Sequence, residues 1–183
     1  GDDLVSQWDD KSGNDYHAVQ GNASYQPKYF ASGGGIGEAH LRWGHDNTWK
    51  ILAVPAVNWA SLSSAGYRNS SFFFVFNSVS NGGGSWSDLV RENPNTETVS
   101  LGYGGHDSHG LKMWASNGWQ CTGGVATSAL PNKVLGGWFW TDSGYKTRVN
   151  GVVDTSDSTA TYTVPATREL RLGASHSAHR TDF

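Results

Sequence analysis

Turn-forming clusters cut this 183-residue chain so finely that helices have no room. No window of a dozen residues keeps apolar side chains at helical spacing without a Gly, a Pro or a Ser/Asn cluster breaking it. The only helical candidate is Val54 to Ser64, where Pro55 and Ser-rich flanks allow one short turn at best. What remains must be built from strands.

Strand signals recur at intervals of about 8–12 residues, the spacing of sandwiches and barrels. They fall at Leu4 to Trp8, Tyr16 to Gln20, Glu38 to Trp43, Trp49 to Val54 and Ser71 to Asn77. They continue at Trp86 to Arg91, Thr98 to Tyr103, Gly110 to Ala115, Lys133 to Thr141, Tyr145 to Val149, Ala160 to Val164 and Glu169 to Leu172. Leu41 and Trp43 alternate onto one strand face. Ser71 to Asn77 reads SFFFVFN, a continuous apolar run that predicts a strand covered on both faces. Gly104-Gly105-His106-Asp107-Ser108-His109 predicts a hairpin loop. Asn150-Gly151 between β-branched residues predicts a type I′ turn, because both central residues there need positive φ.

Composition agrees. Hydrophobic residues make up 37% and 24 glycines are added to them, which together reach a normal globular share. A chain of this length can bury about 70% of its unfolded surface. No linker or fixed-period repeat divides it, so residues 1–183 are expected to form a single all-β domain, an antiparallel sandwich of jelly-roll type. Charged residues are only 16%, and 13 Lys plus Arg against 16 Asp plus Glu leave a net charge of −3. No basic stripe exists for nucleic acid. No apolar run approaches the roughly 18 residues of a membrane helix, so membrane insertion by helices is not expected. Cys121 is the single cysteine and has no internal disulfide partner. The sequence lacks a starting Met and a signal peptide, which suggests a mature or excised segment.

Val5 to Gln20, VSQWDDKSGNDYHAVQ, with Gln26-Pro27-Lys28-Tyr29, resembles the laminin-G-like, concanavalin A-like jelly-roll family. The resemblance runs through Trp8, Asp10, Ser12, Gly13, Asn14, His17, Ala18, Pro27 and Tyr29. Ser71 to Asn77 is similar to the family's central strand, Tyr145 to Val153 to its late V-N-G hairpin, and Leu170 to Ala174 (LRLGA) to its closing strand. The sequence departs from the family at both ends, where one further strand each would be expected. The resemblance implies a concanavalin A-like sandwich lacking its terminal strands. It also implies an open sheet edge, filled by the rest of a larger polypeptide or by neighbouring copies.

Several residue sets bear on chemistry. Glycoside hydrolysis needs two carboxylates about 5–9 Å apart. Glu occurs only at Glu38, Glu92, Glu97 and Glu169, none with an acidic residue two positions away, so a glucanase pattern is missing. Gly44-His45-Asp46 and Gly105-His106-Asp107 repeat one turn, and His106 and His109 are three apart, as are His176 and His179. Such pairs either chelate a metal or act as acid–base partners in a loop, or are polar turn residues. A lyase reading would draft His106, His109, Tyr145 and Arg148. Asp9, Asp10, Asn14 and Asp15 form an oxygen-rich loop that is either a partial calcium site or an Asx-type turn. Asn22-Ala23-Ser24 and Asn69-Ser70-Ser71 match the glycosylation sequon.

Aromatics reach 13%, with nine Trp. An indole face stacks on a pyranose while nearby Asn, Asp and His read its hydroxyls. Trp86, His106, Asp107, His109, Trp114, Asn117 and Trp119 lie on or beside predicted loops and are the candidate ligand contacts. Trp119 is expected on a turn, and Trp114 and Trp119 are expected to line one cleft. Trp8, Trp43 and Phe72 to Phe76 are expected in the core. Trp138 and Trp140 share one strand face, with Phe139 on the other. The expected role is a non-catalytic recognition or adhesion domain for a glycan, outside a cell or on a virion or fibre surface. The alternatives are a structural appendage packing against neighbouring chains, and a polysaccharide lyase or glycoside hydrolase.

Overall fold

The computed structural model describes residues 3–32, 39–43, 50–57, 70–76, 86–92, 99–104, 111–115, 118–122, 134–141, 144–156, 168–173 and 181–182. Within them the chain is all β. The strands are β1 (Asp3–Leu4), β2 (Gln7–Trp8), β3 (Ala18–Val19), β4 (Lys28–Phe30), β5 (His40–Trp43), β6 (Leu52–Val57), β7 (Ser70–Phe76) and β8 (Trp86–Glu92). They continue with β9 (Val99–Gly104), β10 (Leu111–Ala115), β11 (Gly118–Thr122), β12 (Val134–Thr141), β13 (Gly144–Val149), β14 (Val152–Ser156), β15 (Arg168–Leu172) and β16 (Thr181–Asp182). A single turn of 3-10 helix, Ala23–Tyr25, is capped by the Asn22 side chain accepting from Ser24 N–H. No helix among the described residues is long and apolar enough to cross a membrane.

The strands pair antiparallel into three sheets. One has eight strands in the order β11-β10-β9-β8-β15-β6-β3-β2. Two have four, β14-β13-β12-β7 and β1-β4-β5-β16. Alternation along the strands decides how they stack. Phe76, Val134, Trp138, Tyr145 and Val149 point inward from the β14-β13-β12-β7 sheet and meet Leu89, Val90, Leu101, Leu111 and Leu170 from the eight-stranded one. This is a sandwich core. Burying each large side chain in it contributes about 1.5–3 kcal/mol. A second cluster of Ala18, Trp43 and Leu52 lies at the β2–β3 end. Val54 and Leu172 pack against both clusters, so the apolar interior is continuous. Leu41 and Trp43 share that second cluster, as their alternation predicts. Trp138 is fully buried, and Phe139 behind it is half-buried.

The Asn150-Gly151 turn forms as predicted, with φ of 51° and 83°. The strand β6 runs through Pro55, where a turn was the most that sequence suggested. Its partner β15 shows why: Leu170 pairs with Val54 but Arg168 pairs with Val57, so a bulge at Pro55 and Ala56 removes the need for a donor there. The β7 run is covered on one face only. Phe72 and Phe74 are half-buried and Phe76 is sealed, whereas Phe73 is 58% and Val75 46% exposed. A continuous apolar run carries no periodicity, so it gives no sign of which face stays open. Trp119 lies within β11 rather than on a turn. The expected strand at Ala160 to Val164 lies outside the described residues.

Candidate functional site

The loop joining β2 to β3 is built by its own side chains. Asp10 Oδ1 accepts from Ser12 N–H at 2.7 Å, and Asp10 Oδ2 accepts from the Ser12 hydroxyl at 2.6 Å and from Tyr16 N–H at 3.2 Å. Ser12 Oγ in turn accepts from Asn14 Nδ2 at 2.9 Å. His17 Nδ1 accepts from Asp10 N–H at 3.0 Å, which fixes the imidazole against the loop. Gly13 and Asp15 take positive φ of 84° and 58° to close the curve. The hydrogen bonds from Ser12, first its hydroxyl and then its N–H, hold the Asp10 carboxyl down at about 2. Asp9 is also held below the usual carboxylate range, first by the Gln7 amide at 2.8 Å and then by Lys11 at 3.4 Å. These are the bonds of an Asx-type turn. Among the described residues no three His, Cys, Asp or Glu side chains gather into an ion-binding set.

Beside this loop opens a cleft of about 960 Å³. Gln7, Trp8, Asp9, Asp10 and Lys11 border it on the loop side. Tyr29 from β4 and Phe73 and Val75 from β7 form its flanks. Val54, Phe74, Leu89 and Leu172 form its floor, reaching the sandwich interior. Successive side chains of a strand point to opposite faces. A single cleft touched by Phe73, Phe74 and Val75 therefore opens along the edge of β7, the last strand of its sheet. At the mouth Trp8 is 52% and Tyr29 38% exposed. His40 lines the wall and stacks on Phe30 at 5.4 Å, and the Arg42 guanidinium lies 4.3 Å over the same Phe30 ring.

The sequence-derived candidates distribute differently. Trp86 opens β8 and pairs with Gly104, at the entrance of the segment that holds His106, Asp107 and His109. Those three residues and Asn117 lie outside the described residues. Trp114 in β10 pairs with Trp119 in β11, so backbone register does set these two opposite each other. Trp114 also pairs with Ser100. Ser100 lies four residues from Gly104 along β9, about 13 Å at 3.3 Å per residue. Register therefore sets Trp86 opposite one end of β9 and Trp114 near the other. Tyr145 is fully buried in the core, while Arg148 is exposed on the outer face with its guanidinium 5.4 Å over Phe139. The structure does not bring Tyr145 and Arg148 into one site.

Trp8, expected in the core, is instead 52% exposed at the mouth of the cleft. The signal was present in the sequence: Trp8 stands between Gln7 and the polar run Asp9-Asp10-Lys11. The reason is topological, because among the described residues β2 is an edge strand of the eight-stranded sheet. Trp43, by contrast, is 2% exposed, as expected. Compared with protein-family models, curated proteins and solved structures, the chain matches none.

Proposed function

We propose that this chain is a non-catalytic recognition domain that binds a glycan, of laminin-G-like jelly-roll type, acting outside a cell or on a virion or fibre surface. The observation that carries this reading is the β7-edge cleft with Trp8 and Tyr29 exposed at its mouth beside Gln7, Asp9 and Lys11. An indole ring supplies the stacking platform for a pyranose, and the neighbouring amide, carboxylate and ammonium supply acceptors and donors for its hydroxyls. A single site of this kind binds weakly and gains strength from multivalent display. The test is a glycan array probed with a multivalent form of the chain. The expected result is signal on a defined set of glycans that Trp8→Ala abolishes while far-UV and near-UV spectra stay unchanged. Signal unaffected by Trp8→Ala, or no signal at all, overturns the reading.

A second reading, a structural domain that packs against neighbouring chains, is favoured by one observation. Phe73, Val75 and Leu135 are 58%, 46% and 43% exposed on one face of the β7-β12 pair. Concentration-dependent assembly in sedimentation, reduced by Phe73→Ser, together with a silent array, supports it.

A further inference from the structure

The cleft changes character with depth. Among the described residues that line it, the charged side chains Asp9, Asp10 and Lys11 stand at the mouth. Asp10 has both oxygens committed to Ser12 and Tyr16. Asp9 faces Lys11 at 3.4 Å, so this cation of the mouth already has an anion beside it. Among the described residues of the mouth, an acidic sugar thus finds no surplus positive charge. The floor is different: Val54, Phe74 and Leu172 are half-buried and Leu89 is 1% exposed. Those four residues offer no side-chain polar group to a sugar hydroxyl or to water, and water held against such a surface has few partners. An apolar group that displaces it gains free energy. The volume of about 960 Å³ lies at the upper end of the roughly 300–1,000 Å³ typical of ligand clefts, more than one sugar ring fills.

We propose that the ligand of this cleft is an uncharged glycan joined to an apolar aglycone, the sugar held at the Trp8–Asp9 mouth and the aglycone on the floor between Phe74, Leu89 and Leu172. This rests on the glycan reading above and adds the class of ligand to it. The sugar stacks on Trp8 and gives hydroxyl hydrogens to Asp9. The chain or ring it carries lies along the β7 edge and fills the gap that reaches the core.

Calorimetric titration with matched methyl and octyl glucosides, galactosides and mannosides, below the micelle-forming concentration, tests this. An octyl chain needs to bury only about two methylenes to gain tenfold. The expected result is that at least one octyl glycoside binds about tenfold or more tighter than its methyl counterpart. Val75→Asp, at an exposed position on the flank, narrows that gap to less than about threefold, and its melting curve reports that the fold is intact. Equal affinity of each methyl and octyl pair overturns the aglycone inference and leaves the glycan reading standing. An octyl oligo(ethylene glycol) ether that binds as tightly as the octyl glycosides, with methyl glycosides inert, overturns both readings. So does absence of binding by every probe.

Discussion

The ring of Trp43 occupies the space that a side chain at Gly173 would need. A Cβ built on Gly173 would fall inside the contact distance of Trp43 Cε3, Cδ2 and Cζ3, and Gly173 has a φ of +72°. Trp43 is 2% exposed at the centre of the second core cluster, and Gly173 N–H donates to Leu89 O at 3.0 Å. Close approach and a left-handed backbone thus coincide just after β15. Gly173→Ala is expected to cost about 2–4 kcal/mol, the sum of strain at positive φ and displacement of a buried ring. Gly13 gives the control, because it has φ +84° but nothing within 4 Å of a built Cβ. Gly13→Ala should cost only about 1 kcal/mol, from the backbone alone. Urea melts of both variants check the difference, and equal midpoints would contradict the Trp43 contact.

Asn150 makes two hydrogen bonds to one residue across the sheet. Its N–H donates to Leu135 O at 2.9 Å, and its Oδ1 accepts from Leu135 N–H at 2.9 Å. With φ at 51° it also occupies the left-handed region that Asn tolerates better than most residues. Asn150→Ala removes the side-chain bond and strains the turn, an expected loss of about 1–2 kcal/mol. Amide exchange at Leu135 gives a local reading of the same event: its protection should fall in Asn150→Ala more than that of Trp138 in the same strand.

What was legible in the sequence is the part fixed by local chemistry. Asn150-Gly151 demanded its turn, the glycine and polar clusters spaced the strands, and Leu41 with Trp43 marked an inward face. Sheet-level order was not legible. Trp8 looks like a core residue until β2 proves to be an edge strand. Phe73 looks buried because its neighbours Phe72 and Phe74 are apolar too, and only pairing with β12 shows which face is covered. Trp86 pairs with Gly104 while Trp114 pairs with Ser100, so register, not sequence distance, sets their separation along the sheet. Pro55 argued against a strand until the bulge opposite Glu169 absorbed it.

Asp10 gives a pH-dependent expectation with a definite sign. Its carboxyl is held at about 2 against an ordinary value of 3.8, chiefly by the Ser12 hydroxyl. A carboxylate depressed in the folded state adds stability above its unfolded pKa and loses it as pH falls through the folded one. The β2–β3 loop should therefore be fully braced above about pH 4 and loosen between about pH 4 and 2. Ser12→Ala removes the largest cause and should move the Asp10 titration up towards 3.8. A carboxyl carbon NMR titration reads both values, and an unchanged midpoint in Ser12→Ala would show that another group sets it.

Two adjacent glycines in β12 separate the inside of the sandwich from its outside. A Cβ on Gly136 would sit 2.8 Å from Trp138 Cη2 and 2.9 Å from Phe76 Cε1, both in fully buried rings. A Cβ on Gly137 would meet Phe139 Cε2 at 3.0 Å and Phe73 Cε1 at 3.3 Å. Those two rings form an edge-to-face pair at 5.3 Å on the outer face, where Phe73 is 58% exposed and free to turn aside. Both substitutions to Ala lower backbone entropy in the unfolded chain equally, so the difference between them reports packing alone. Gly136→Ala is expected to destabilise by about 1–3 kcal/mol through overpacking, and Gly137→Ala to stay within about 0.5 kcal/mol of the parent. Thermal melts of the pair decide it. The reverse order would mean that the face carrying Phe73 and Phe139, not the one carrying Phe76 and Trp138, is the packed one.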